Sequence, residues 1–135
     1  MKENIDTTFE VKIRRNAKTG HVSAEHWLLD GKGESPPGDR PSTLLFDDQG
    51  RIRTMIWNKQ GETHREAGPA WIDVDPKSGI HLLEQYFENG QCHRGDRKPA
   101  RISRSPETGE VTQVGYFEHG VEKFWKNKPP VAPGI

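Results

Sequence analysis

Two dipeptides of one kind, His64-Arg65 and His93-Arg94, stand 29 residues apart and carry the widest chemical range in this chain. With Cys92 beside the second, the imidazoles offer three ligands of the type zinc accepts, whereas structural zinc normally takes four. The expectation is therefore structural. Each His hydrogen-bonds a backbone group across its loop, and each Arg clamps a neighbouring carboxylate or carbonyl. Recurrence supports this reading, because a catalytic residue is needed once and this pair occurs twice. No metal and no cofactor is expected.

Asp47, Asp48, Asp73 and Asp75 could be read as a carboxylate cluster for acid–base or cation chemistry. They flank glycine-containing turns, however, where Asp is favoured because its side chain bonds to nearby backbone amides. A Gly-rich phosphate loop, a nucleophile elbow and a His-Glu-x-x-His motif are all missing from the sequence. No catalytic residue is assigned, and the chain is expected not to be an enzyme.

From His93 to Arg104, six of twelve residues are Arg, Lys or His, against one Asp. On a chain with 20 basic and 20 acidic residues this is a local positive face, suited either to an acidic partner surface or to guarding a strand edge. The overall balance implies neither nucleic acid nor an anionic membrane as partner. Trp71 departs from its equivalents Thr43 and Arg101, which predicts an exposed indole beside a guanidinium. The residues expected to meet a protein partner are thus Trp71, Arg101, Arg104, His64, Arg65, His93 and Arg94.

These residues are positioned by a repeat. A turn glycine is followed after seven residues by an aromatic and after four more by a second glycine: Gly20, Trp27, Gly31; Gly50, Trp57, Gly61; Gly79, Tyr86, Gly90; Gly109, Tyr116, Gly120. A proline closes each unit at Pro41, Pro69, Pro99 and Pro129, and the leading glycines are spaced by 30, 29 and 30 residues, a period of 29–30 typical of a supersecondary unit that must stack on its neighbours. Alternation at Phe9, Val11 and Ile13 marks a first strand. The turns NAKTG, DDQG, DPKSG and SPETG then open four hairpins.

The second strands are expected over His21–Leu29, Arg51–Lys59, Ile80–Glu88 and Glu110–Glu118, and the later first strands over Ser42–Asp47, Ala70–Asp75 and Ala100–Ser105. The fold class is all-β: an antiparallel meander of about four β-hairpin repeats forming an elongated, twisted single sheet. Leu44, Ile72 and Ile102 should form one row across it, and Trp27, Trp57, Tyr86 and Tyr116 another. Residues 1–8 read as a flexible lead-in, 9–128 as the repeat domain and 129–135 as a Pro-rich tail. No stretch reaches the roughly 18 apolar residues of a membrane span, and the N-terminus lacks the apolar core of a secretory signal. A cytoplasmic location is expected, consistent with the single cysteine.

The segments NKQGETHREAGPAWI and FENGQCHRGDRKPARI share an aromatic, a turn glycine, His-Arg and Pro-Ala. This pattern resembles the MORN family of β-hairpin repeats and its bacterial and phage variants, some of which are labelled antitoxins, over about residues 9 to 130. Tyr86, Asn89, Gly90, His93, Arg94, Pro99 and Ala100 match it, as do Trp57, Gly61, His64, Arg65, Gly68, Pro69 and Ala70. The first unit departs at Glu34-Ser35 and the last at Lys123-Phe124. The resemblance implies an elongated interaction scaffold and carries over no catalytic residue. The expected function is binding of another macromolecule, a protein, with inhibition of antitoxin, immunity or phage-inhibitor type as its form. Alternatives are a small enzyme with an unmarked site and a subunit that oligomerises through its sheet face or edges.

Overall fold

A computed structural model describes residues 3–124. They form β1 (Glu10–Arg15), β2 (Val22–Leu29), β3 (Lys32–Gly33), β4 (Thr43–Phe46), β5 (Ile52–Ile56), β6 (Asn58–Lys59) and β7 (Glu62–Thr63). There follow β8 (Trp71–Val74), β9 (His81–Gln85), β10 (Phe87–Glu88), β11 (Gln91–Cys92), β12 (Arg101–Arg104), β13 (Val111–Glu118) and β14 (Val121–Lys123). No helix occurs among the described residues. The proposed tail, Pro129 and Trp125 lie outside them.

One antiparallel sheet runs in the order β1-β2-β4-β5-β8-β9-β12-β13-β14, with β3 paired to β2. Each wide hairpin turn is closed from inside by its first side chain. Asn16 Oδ1 accepts from the amides of Lys18 and Thr19, Asp47 Oδ1 from Gln49 and Arg51, Asp75 Oδ1 from Lys77 and Ser78, and Ser105 Oγ from Glu107 and Thr108. Backbone amides therefore hold the Asp47 and Asp75 carboxyls below the usual carboxylate range, through Arg51 at the first and Ser78 at the second. The strand register shifts just before every one of these turns, at Arg14/Arg15, Leu45/Phe46, Asp73/Val74 and Ser103/Arg104. An irregularity there tightens the local twist at the same place in each hairpin.

Cross-strand partners share a face, and residues one step along take the other. Glu25, Leu44, Met55, Ile72, Glu84, Ile102 and Val114 form one such row. Its centre is the core: Ile72 is 4% and Ile102 0% exposed, and Ala70 and Trp57 pack beside Ile72. The expected apolar row of Leu44, Ile72 and Ile102 is thus present, interleaved with Met55 and with the buried Glu84. The carboxylate of Glu84 is neutralised by Arg104 and also bonds His81 Nδ1 at 3.0 Å. Of the aromatic row, Trp57 and Tyr116 are buried, while Trp27 and Tyr86 are half-buried.

Two of the expected second strands are interrupted. In the second and third hairpins the ladder breaks at Trp57 and Tyr86, and the chain departs into the short hairpins β6-β7 and β10-β11. At their tips Gln60 and Asn89, with φ near +50°, precede Gly61 and Gly90 at φ above +80°, the pair of left-handed residues that a two-residue hairpin turn needs. These small hairpins are sewn to one another. Gly61 N–H donates to Gly33 O, Gly90 N–H to Thr63 O and Gly120 N–H to Cys92 O, at 2.8–2.9 Å. Ser35, Arg65 and Arg94 amides donate to Asn58, Phe87 and Phe117 carbonyls. A narrow second strip of backbone hydrogen bonds therefore accompanies the main sheet.

Candidate functional site

The second strip carries the His-Arg dipeptides. His64 Nδ1 accepts the amide of Asn89 at 3.0 Å, and His93 Nδ1 accepts that of His119 at 2.9 Å. An accepting Nδ1 places the imidazole proton on Nε2. Those far nitrogens face Glu66 at 3.8 Å and Glu88 at 3.5 Å. His64 Nε2 is buried without a hydrogen-bond partner. In the first unit, which has Glu34 at the position of His64 and His93, Glu34 Oε1 accepts the Gln60 amide at 2.8 Å. One acceptor thus completes the strip between successive units, whether it is imidazole or carboxylate. His119, not singled out from the sequence, also stacks its ring on His93 at 4.2 Å.

The arginines add a second layer. Arg65 lies over the Trp57 ring at 3.8 Å, gives Nη1–H to Pro69 O at 3.0 Å, and forms a two-pronged pair with Asp39 through Nε at 3.0 Å and Nη2 at 2.8 Å. Asp39 also accepts the Trp57 indole N–H on its backbone oxygen at 3.0 Å. The Arg65 guanidinium holds the Asp39 carboxyl below the usual range, against a weaker opposing effect of burial. Arg94 repeats the first two contacts, lying over Tyr86 at 4.0 Å and donating to Pro99 O at 3.1 Å. Loop clamping by Arg, as expected, is what both side chains do.

His64, Arg65, His93 and Arg94 line a common cavity of about 340 Å³. Cys92 sits on β11 beside it, with burial pushing its thiol up. No group of three or more His, Cys, Asp or Glu able to hold a metal is found among the described residues.

Trp71 and Arg101 lie elsewhere, on the sheet. Gln85 of β9 is the register partner of both, so one strand separates them, as expected. With its amide oxygen facing the guanidinium, Gln85 accepts from Arg101 Nε at 3.0 Å and Nη2 at 3.2 Å. The Arg101 side chain crosses the Phe117 ring at 4.9 Å. Trp71, however, is half-buried rather than fully exposed, and its indole N–H donates to Asp73 Oδ1 at 3.1 Å. Thr54 donates to the same oxygen at 2.9 Å. Asp73 is therefore a strand residue that organises this face, not a turn residue like Asp47 and Asp75.

Arg104 also departs from expectation. Its side chain is 12% exposed and paired with Glu84 in the buried row, because Arg104 stands two residues after Ile102 on β12 and strand alternation puts both on one face, opposite Arg101. The seven expected residues thus divide into a strip cluster, a sheet-face pair and one core ion-pair partner.

Comparison of the chain with protein-family models, with curated proteins and with solved structures finds no match in any of the three. No helix among the described residues is long and apolar enough to cross a membrane.

Proposed function

We propose that this chain is a non-enzymatic hairpin-repeat scaffold of MORN-like type, built from four units, that binds another protein and inhibits it. The observation that carries the reading is the row Trp71, Gln85, Arg101 across three adjacent strands, set on the opposite face from the Ile72 and Ile102 core. Trp and Arg are the side chains most often found as interface anchors, since they combine large contact area with directed hydrogen bonding. Here the indole is oriented by Asp73 and the guanidinium by Gln85, so little side-chain entropy remains to be lost on binding. Capture from extracts of the native host, followed by mass spectrometry, tests this. The reading expects one protein enriched by the wild-type chain and lost with Trp71→Ala, Arg101→Glu; equal recovery by both chains contradicts it.

One observation favours a second reading, a subunit that assembles through sheet edges. All six residues of β1 are exposed, and its outer edge pairs with no strand among the described residues. Light scattering on the purified chain separates the two: a monomer at micromolar concentration is incompatible with edge assembly.

A further inference from the structure

Arg65 and Arg94 occupy equivalent places, yet their guanidinium groups are not equally filled. Both are pinned by stacking on an aromatic ring and by Nη1 bonded to a proline carbonyl. The remaining edge, Nε and Nη2, is taken by Asp39 at Arg65. At Arg94 that edge has no acceptor among the described residues, and no carboxylate there lies within 4.0 Å of it.

The cause is legible in the loops. Ser35–Pro41 carries Asp39 at φ +55°, two residues before its proline. The following loop is two residues shorter between turn glycine and proline, and it offers Ala67 at that position. The nearby acids are engaged elsewhere: Glu66 faces His64 Nε2, and Glu88 faces His93 Nε2. Arg94 lines, with Tyr86 and His93, the cavity of about 340 Å³.

We propose that the Nε/Nη2 edge of Arg94 is the docking point for an aspartate or glutamate side chain of the protein partner. That carboxylate takes, from outside, the position that Asp39 takes from within at Arg65. The guanidinium is already oriented by ring and carbonyl, so a planar two-pronged pair forms without reorganising the site. The source of the carboxylate rests on the protein-binding reading above; the site itself does not.

The test is nitrogen-15 NMR of the arginine Nε–H resonances in the full chain, titrated with a capped tri-aspartate peptide and separately with inorganic phosphate. The Arg94 resonance is expected to shift saturably with the peptide while that of Arg65 stays in place. Arg94→Lys should weaken peptide binding about tenfold, since an ammonium cannot make the two-pronged pair. Asp39→Ala should open the second edge and make Arg65 respond as well. Absence of an Arg94 shift, uniform shifts at all arginines, or tighter binding of phosphate than of peptide would each overturn the proposal. A saturable Arg94 shift without any captured protein would leave the site standing and remove the scaffold reading. A captured protein that binds Arg94→Gln as tightly as wild type would do the reverse.

Discussion

The Asn89 amide donates to His64 Nδ1 at 3.0 Å, in the place where a β-ladder would put a carbonyl. The same bond recurs as Gln60 to Glu34 and His119 to His93. The acceptor, not the imidazole as such, is what the position requires. His64→Ala is expected to lower stability by about 1 kcal/mol, the usual net value of one hydrogen bond. His64→Glu should keep most of it, as Glu34 does. Urea denaturation of the two variants checks this, and equal losses would show that the ring itself is needed.

Acidification should act through Asp39. Its folded-state carboxyl titrates below the ordinary value because Arg65 bonds it. The Asp39–Arg65 contribution is therefore complete above the unfolded-state pKa and is lost as pH falls through the folded-state one. The Asp39 side chain is 45% exposed, so solvent screening keeps the effect to roughly 1 kcal/mol or less. The stability gap between wild type and Asp39→Ala, measured by thermal melting, should be widest near neutral pH and narrow below about pH 4. A gap that widens on acidification would contradict the pairing.

Trp57 is 5% exposed and packs with Ala70 and Ile72. Trp57→Ala should cost about 3–5 kcal/mol, the range for a buried aromatic. An unchanged melting temperature would place this row outside the core.

Gly115 opposes Arg101, and a Cβ added to it would lie 3.0 Å from the Phe117 ring. Gly115→Ala is expected to displace Phe117 and the Arg101 side chain that crosses it, at a cost of about 1 kcal/mol. Stability above wild type, from the better strand propensity of alanine, would show that the ring has room to move.

The wide turns, the meander and the Leu44, Ile72, Ile102 row were legible because they follow from glycine placement and alternation, both local signals. The breaks at Trp57 and Tyr86 were not, since a continuing strand and a departing one share the same alternation. Equally hidden were partners more than 20 residues away: Asp39 for Arg65, and Glu34 serving where His serves later. Asp73 was misread as a turn acid because Thr54, which bonds it from the neighbouring strand, is identified only by register, and the bond from Trp71 two residues before it on the same strand was overlooked. Arg104 was misread because it was grouped with Arg101, although alternation along β12 puts it with Ile102 on the core face.

The claim that matters most is that the sheet face carrying Trp71 and Arg101 binds a protein. It is tested by measuring the affinity of the captured partner for wild type, Trp71→Ala, Arg101→Glu and, as a control on the distant first turn, Lys18→Ala. The account predicts a loss of at least about 2 kcal/mol, roughly thirtyfold, for each of the first two variants with unchanged melting curves, and none for Lys18→Ala. Full affinity in both Trp71→Ala and Arg101→Glu would contradict it.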